Sequence, residues 1–348
     1  MIMNKFHPLT IISVVRLTPD AVAISFDVSN NVLFQFEAGQ YITIKKDIDG
    51  EEVRRAYSIC SMNTEGVTIG VKKVETGKMS TFLTESVKQG DVLQVMPPSG
   101  NFVINGNNKH IVGICAGSGV TPIISMIKTE LAKQSDVKFT LIYGNKTKDS
   151  SMFAEELQQL QIDNSDRLKI HNAYSRQGVA GAINGRLDKN TIQQLLNTFI
   201  PLKTADAYFI CGPGELIDNA NELLLLNNIT QKKINFERFT TVEKRNITDN
   251  DSDEIISNVR VSVDGEDFEF TLSNKGQTIL DAAMQQGADV PFSCKGAVCC
   301  TCRAKVMEGS VTMDANYSLS EDEVAEGYVL GCQARPASVN LVIDFDEM

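Results

Sequence analysis

The chain has 348 residues, 42% of them hydrophobic and 22% charged, with a net charge of −11. That length is long for one core, so two or three domains are expected. No apolar run approaches the roughly 18–20 residues that cross a bilayer, and the polar start around Pro8 lacks the apolar centre of a secretory signal. A cytoplasmic protein with no membrane and no nucleic-acid partner is therefore expected.

The eight cysteines are unevenly placed. Cys60, Cys115 and Cys211 lie singly in apolar stretches, and five fall between Cys294 and Cys332. A disulfide framework would spread pairs over a short secreted chain. The pattern instead suits a reducing compartment and one metal site, with Cys60 and Cys115 in the core. Charge is uneven too. Residues 258–348 hold six Lys/Arg and fifteen Asp/Glu, residues 241–257 hold two and five, and residues 1–240 sum to +1. The acidity serves solubility, or it steers the C-terminal part toward a basic patch.

From Leu9 to about Asn105, short alternating runs are broken by Gly, Asn and Asp: Ala21–Phe26, Tyr41–Lys45 and Val67–Val71. They predict a small antiparallel barrel. Three motifs lie in it: Arg55-Ala56-Tyr57-Ser58-Ile59-Cys60, then Gly77-Lys78-Met79-Ser80-Thr81, then Pro97-Pro98-Ser99-Gly100-Asn101-Phe102. In this order they resemble the flavin-binding half of the ferredoxin-NADP reductase superfamily. The chemistry agrees. Arg55 can pair with a phosphate, Tyr57 offers a flat face to an isoalloxazine ring, and Ser58 can hydrogen-bond near the flavin N5. Gly77, Lys78, Met79, Ser80 and Thr81 can give N–H groups and hydroxyls to a pyrophosphate.

From about Lys109 the period changes. An apolar run, His110–Ile114, is followed by Ala116-Gly117-Ser118-Gly119-Val120-Thr121-Pro122 and a helical pattern to Lys133. Pro122 is expected at the first helical position. Strand, Gly-rich turn and helix place donors where a pyrophosphate would lie, with Gly117, Gly119 and Thr121 as candidates. The turn departs from G-x-G-x-x-G, and no acidic residue follows about twenty positions on, so a standard dinucleotide fingerprint is not present. It resembles the nicotinamide half of the same superfamily. Strands are expected at Lys138–Tyr143, Leu168–Ala173, Asp206–Cys211 and Ile234–Phe239, and helices at Met152–Gln161 and Glu215–Leu226. Such alternation gives a parallel sheet with helices on both faces and ligands at the carboxyl strand ends. Ser175 and Arg176, helped by Arg186 or Lys146, could hold a ribose 2′-phosphate, which favours NADPH over NADH. The resemblance sets Cys211, Gly212 and Pro213 at the nicotinamide, and Glu237 and Phe239 near the flavin.

Residues 241–257 are polar and read as a linker. A hairpin follows at Val259–Val263 and Phe268–Leu272, turning at Asp264-Gly265, then a helix at Thr278–Gln286, strands at Arg303–Met307 and Val339–Phe345, and an acidic turn at Glu321–Glu326. Between them Cys294, Cys299 and Cys302 stand at C-x4-C-x2-C spacing, and Cys332 follows after twenty-nine residues. This is the plant-type pattern for a [2Fe–2S] cluster. Cys299 and Cys302 alone would also fit zinc or a thioredoxin-like pair, but zinc wants a second close pair, and a redox pair needs neither Cys294 nor Cys332. With only His7, His110 and His171, none near the cysteine cluster, a Rieske centre, which needs two His ligands, is not expected. Cys300 is off the spacing and is not expected to bind iron.

The expected architecture is an antiparallel β-barrel flavin domain (1–107), an α/β parallel-sheet nicotinamide domain (108–240), a linker (241–257) and an α+β plant-type ferredoxin domain (258–348). Closer likeness lies in Phe6-His7-Pro8-Leu9-Thr10, Leu141-Ile142-Tyr143-Gly144-Asn145, Glu237-Arg238-Phe239 and Asn316-Tyr317-Ser318-Leu319, with Gly327-Tyr328-Val329-Leu330 ahead of Cys332. These resemble the reductase subunits of phenylacetyl-CoA epoxidase (ring 1,2-monooxygenase) complexes. The resemblance implies FAD rather than FMN, a [2Fe–2S] cluster, NADPH as cosubstrate, and the oxygenase subunits of a multicomponent di-iron monooxygenase as partner. Rival acceptors are a Rieske dioxygenase, another di-iron hydroxylase or a hybrid-cluster protein. A rival of another class is a non-catalytic binding protein stabilised by zinc.

Overall fold

The computed structural model describes residues 5–29, 31–200, 202, 204–239 and 254–347. One compact unit runs Phe6–Phe239, and the described residues from 254 onward form a second, together with Lys5.

The first unit begins with β1 (His7–Thr18), β2 (Ala21–Phe26), β3 (Tyr41–Ile48), β4 (Glu51–Ser58), β5 (Thr68–Lys72), α1 (Lys78–Glu85) and β6 (Val92–Ser99). The strands form one antiparallel sheet in the order β4-β3-β6-β1-β2-β5. It curls until its edges meet, where Ile59 bridges Ile69 and the Cys60 N–H donates to the Thr68 carbonyl at 2.8 Å. Alternation explains the curl: Ile24, Ile42, Ile44, Ile59 and Ile69 point inward and are fully buried. The β3–β4 hairpin turns at Asp49 and Gly50, both at positive φ (56° and 77°), as a two-residue turn matched to strand twist requires.

The same unit continues with β7 (His110–Ala116), α2 (Val120–Lys133), β8 (Lys138–Asn145), α3 (Ala154–Asp163), β9 (Leu168–Tyr174), β10 (Ile183–Asn184), α4 (Lys189–Thr198), β11 (Ala207–Gly212), α5 (Gly214–Leu226) and β12 (Ile234–Arg238). Its parallel sheet runs β10-β9-β8-β7-β11-β12. The chain works outward from β7 to β10 and then crosses to β11, so the order reverses between β7 and β11. A crevice opens at such a point, at the carboxyl ends of the strands.

Barrel and α/β sheet share a core in which Cys60 and Phe102 pack with Ile123, Met126 and Met152. The buried Ser125 hydroxyl donates to the Ser61 carbonyl at 2.6 Å, and Lys128 bridges Glu65 (2.7 Å) and Glu156 (3.1 Å) across the seam. Gly70 lets β5 come this close, because a Cβ there would lie 2.5 Å from Thr121 Cγ2.

The second unit holds β13 (Ile256–Val263), β14 (Glu266–Ser273), α6 (Ile279–Gln285), β15 (Arg303–Glu308), β16 (Val311–Met313), α7 (Glu321–Ala325), β17 (Tyr328–Leu330), β18 (Ala334–Pro336) and β19 (Asn340–Asp344). Five strands order as β14-β13-β19-β15-β17, and β16 pairs with β18. The helix α6 buries Ile279, Leu280, Ala282 and Ala283 against this sheet's core. Residues 241–253 of the stretch read as a linker lie outside the described residues, and β13 begins at Ile256.

One local expectation is corrected. The α2 helix begins at Val120, so Pro122 is its third residue rather than its first. The first four N–H groups of any helix lack acceptors within it, so proline is equally tolerated there. The Gly77–Thr81 stretch, for which the sequence suggested no helix, starts one: Gly77 is the cap and Lys78 opens α1.

Candidate redox site

All of the flavin and nicotinamide motifs sit in the first unit, at the barrel edge and around the carboxyl ends of the parallel strands. Arg55, Tyr57 and Ser58 lie on the edge strand β4, with Tyr57 opposite Ile42 and Ser58 opposite Tyr41. The Arg55 guanidinium is exposed and donates to the Arg54 carbonyl at 2.7 Å. Tyr57 packs its ring on the barrel core and stays partly open. Burial pushes its hydroxyl up, against the pull of Arg55, so it stays protonated.

The α1 helix contacts β4, and its first residue, Lys78, pairs with Glu51 of that strand. No side chain caps the helix start, so the N–H groups of Lys78, Met79 and Ser80 have no acceptor within the helix. The side chains are otherwise engaged. Met79 is buried in the core, and the Ser80 hydroxyl accepts from the Val74 N–H and donates to the Gly77 carbonyl. The Thr81 N–H closes the first turn on the Gly77 carbonyl at 3.0 Å. The donors available for an anion are thus backbone groups, the half-buried Thr81 hydroxyl and Arg55.

At the crevice, Gly117 stands at φ 57° with open space where a Cβ would be. The Gly119 site differs: a Cβ there would lie 2.2 Å from the Cys211 carbonyl oxygen, so this glycine lets the start of α2 close on β11. The Thr121 hydroxyl donates to the Ser118 carbonyl at 2.9 Å, and the buried Tyr143 hydroxyl donates to the Gly117 carbonyl at 3.1 Å, so both brace the turn. Gly212, at φ 152°, ends β11, and Pro213 caps α5. Ser175 and Arg176 follow β9, their N–H groups bound to the Asn145 and Lys146 carbonyls. Arg186 pairs with Glu215 at 3.1 Å.

A hydrogen bond joins barrel and crevice: the Ser58 hydroxyl donates to Glu237 Oε2 at 3.2 Å. Glu237 pairs with Cys211 across β11 and β12 and is half-buried. Burial raises its carboxyl to about 8, with Ser58 pulling the other way. The Cys211 thiol is fully buried and pushed up by burial, then by Glu237 and Cys115, so it is a neutral wall and no thiolate. Phe239, just past β12, is 38% exposed.

Arg238 between them stands in the quoted Glu237-Arg238-Phe239 motif, but the reading of the sequence assigned it no role. Its guanidinium pairs with Asp218 of α5 over the Phe236 ring and fits because Gly214 has no Cβ. Strand alternation was the signal: pinning 236 and 238 on the α5 side leaves 237 and 239 on the other.

In the second unit the four cysteines converge. The Cys299 thiol donates to Cys294 Sγ at 3.1 Å, and Cys332 hydrogen-bonds with both Cys294 and Cys302. Hydrogen bonds from Cys299 and Cys332 hold Cys294 far below a free thiol, while Cys299 and Cys332 are pushed up, chiefly by their bonds to Cys294. Four thiolates this close require cations among them. That donor set, largely buried, fits iron of a [2Fe–2S] cluster. Among the described residues no three His, Cys, Asp or Glu side chains surround a single-ion position. Cys300 is partly exposed and packs at the edge of the core.

Comparison with known proteins agrees with this layout. Family models match in chain order: an oxidoreductase FAD-binding domain at 8–104, an oxidoreductase NAD-binding domain at 114–222 and a 2Fe-2S iron-sulfur cluster binding domain at 261–337. The chain belongs to the FAD-, NAD- and 2Fe–2S-containing reductase components of oxygenases, and it is an oxidoreductase. Within that family it is 40% identical to a subunit of the 1,2-phenylacetyl-CoA epoxidase of Escherichia coli, over 99% of both chains. It is 31% identical to the ferredoxin reductase component of 3-ketosteroid-9-alpha-monooxygenase of Rhodococcus rhodochrous, over 97% of this chain and 96% of that one. Phthalate dioxygenase reductase, a modular structure for electron transfer from pyridine nucleotides to [2Fe–2S], shares the fold with a TM-score of 0.61 at 24% identity, covering 97% of this chain and 98% of that one.

Proposed function

We propose that this chain takes electrons from NADPH and delivers them through FAD and the [2Fe–2S] cluster to the oxygenase subunits of a di-iron phenylacetyl-CoA epoxidase, in the cytoplasm. The single observation behind the redox reading is the Ser58–Glu237 hydrogen bond, which joins the flavin-half motif to the end of the nicotinamide half. The acceptor rests on 40% identity along the whole length to the Escherichia coli epoxidase subunit. The same reading divides the chain at 1–107, 108–240, 241–257 and 258–348.

When bound, the flavin accepts a hydride and returns single electrons, and the cluster carries one electron at a time. The chain supplies position and charge. Arg55 and the N–H groups of Lys78, Met79 and Ser80 would hold the flavin pyrophosphate, as Gly117 and the start of α2 would hold that of NADPH. Tyr57 gives the flavin ring a flat, neutral face. Ser58 would offer its hydroxyl to the flavin N5, with Glu237, hydrogen-bonded to it, as proton reservoir. Cys211 and Phe239 wall the nicotinamide against water. Ser175 and Arg176 hold the 2′-phosphate. Cys294, Cys299, Cys302 and Cys332 hold the cluster.

Anaerobic NADPH should bleach the yellow-brown protein, and flavin released by denaturation should chromatograph as FAD. NADPH-dependent oxygenation of phenylacetyl-CoA should then require this chain and the epoxidase oxygenase subunits together. A colourless protein would overturn the redox reading. Product with another oxygenase, and none with this one, would overturn the acceptor. A lower KM for NADH than for NADPH would overturn the role of Arg176.

A further inference from the structure

The turn Asn316–Leu319 lies against the cluster loop. The Asn316 side chain builds it. Its Oδ1 accepts from the N–H of Ser318 (3.2 Å) and of Leu319 (2.9 Å), and its Nδ2 donates to the Leu319 carbonyl at 2.9 Å. Leu319 is buried and anchors the turn in the core of the second unit. From this anchor the turn reaches the loop twice. The Tyr317 N–H donates to the Ala297 carbonyl at 3.1 Å, and the Ser318 hydroxyl donates to the Cys299 carbonyl at 3.0 Å.

The loop needs outside support. Lys295 (φ 50°) and Ala297 (φ 63°) both sit in the left-handed region, which side-chain-bearing residues adopt only where neighbours enforce it. The consequence for the sulfurs follows from the planarity of the peptide. In a trans peptide the C=O and the next N–H point in opposite directions. Pinning the Ala297 carbonyl outward therefore aims the Val298 N–H inward, where it hydrogen-bonds to Cys294, alongside the Gly296 N–H at 3.3 Å from the same sulfur. Pinning the Cys299 carbonyl fixes the next peptide plane, between the ligands Cys299 and Cys302, in the same way.

We propose that Asn316 and Ser318 are positioning residues for the iron–sulfur cluster: they hold the peptide planes of the 294–302 loop from outside, so that its N–H groups stay aimed at the ligand sulfurs. The proposal rests on the [2Fe–2S] reading of the four cysteines. N–H donors to sulfur stabilise negative charge there, and most of all the extra electron of the reduced cluster. Loosening the brace makes the cluster harder to reduce and easier to lose.

The test uses the full-length protein as wild type, Ser318→Ala, Ser318→Thr and Asn316→Asp. It reads the cluster's half-life against a chelator, its potential, the EPR spectrum of its reduced form, and the rate at which NADPH reduces the flavin. For Ser318→Ala the half-life should fall about tenfold, the usual order for losing an outer partner of a metal site. Its potential should move negative and its EPR spectrum should change, with flavin reduction within about twofold of wild type. Ser318→Thr keeps the hydroxyl and should match wild type. Asn316→Asp keeps the acceptor oxygen, loses the donor to Leu319 and should fall between. It also carries the comparison should Ser318→Ala fail to accumulate. Wild-type half-life and EPR in Ser318→Ala, or equal damage in Ser318→Thr, would overturn the proposal. Wild-type protein with no reduced-cluster signal would overturn the [2Fe–2S] reading first, and this proposal with it.

Discussion

Glu237 holds its proton through the neutral range because burial outweighs the pull of Ser58, and it releases it at about pH 8. The sign has two consequences. The unfolded chain gives up this proton near the ordinary carboxylate pKa, so from there up to about 8 the folded state binds more protons, and stability from this group falls as pH rises. Above 8 the loss is complete and constant. Glu237→Gln keeps a neutral hydrogen-bonding side chain at Ser58 and removes the ionisation. It should flatten the stability profile between about pH 5 and 8, in denaturant melts of protein kept at constant salt. The flavin-reduction rate of wild type should change slope near pH 8, and that limb should vanish in the Gln variant. A variant that keeps the limb would assign it to another group. The sequence marked this residue through Glu-x-Phe. It could not show the Ser58 contact, which joins positions 179 apart, or the burial that moves the proton.

Elements were legible where burial follows a simple period. Ala21–Phe26 was read as it stands, because one face of β2 meets the barrel core and the other does not. The apolar runs of the parallel sheet were read for the opposite reason, since strands covered on both faces need no alternation. The α1 helix was missed: its eight residues follow a glycine cap that offers no side chain, so its start resembles a phosphate-binding loop. The α4 helix carries a proper cap at Asp188, whose carboxylate accepts from the Thr191 N–H at 2.8 Å, and was passed over for lack of a motif. Gly119 was read as a ligand-facing glycine, whereas the contact it permits is between elements, from α2 to the Cys211 carbonyl. Gly119→Ala must push the α2 start off β11, because its Cβ meets backbone, which cannot swing aside. The KM for the nicotinamide cosubstrate should rise about tenfold or more, equivalent to roughly 1.4 kcal/mol of binding, while FAD content stays at wild type. An unchanged KM would place the dinucleotide away from this helix start.

At the scale of the molecule, cysteine spacing and the switch from short alternating runs to strand–helix alternation carried the domain order, since each follows from local chemistry. How the two units meet does not follow from spacing, but charge bears on where electrons leave. The net charge is −9 over residues 258–348 and +1 over residues 1–240. In the second unit the acidic helix α7 leads directly into β17 and Cys332, and Glu323 ties it to Arg303, beside Cys302, at 2.8 Å. An acceptor that approaches the cluster therefore meets a negative field, screened over about 8 Å at physiological salt. One that takes electrons from the flavin unit meets almost none. Stopped-flow rates with two acceptors of opposite charge separate these cases. Reduction of cytochrome c, a basic protein, should slow about tenfold between low and high salt, while reduction of anionic ferricyanide should speed up. Rates of both acceptors independent of salt would move the electron exit to the nearly neutral first unit, and would leave the acidity of the cluster unit as a device for solubility.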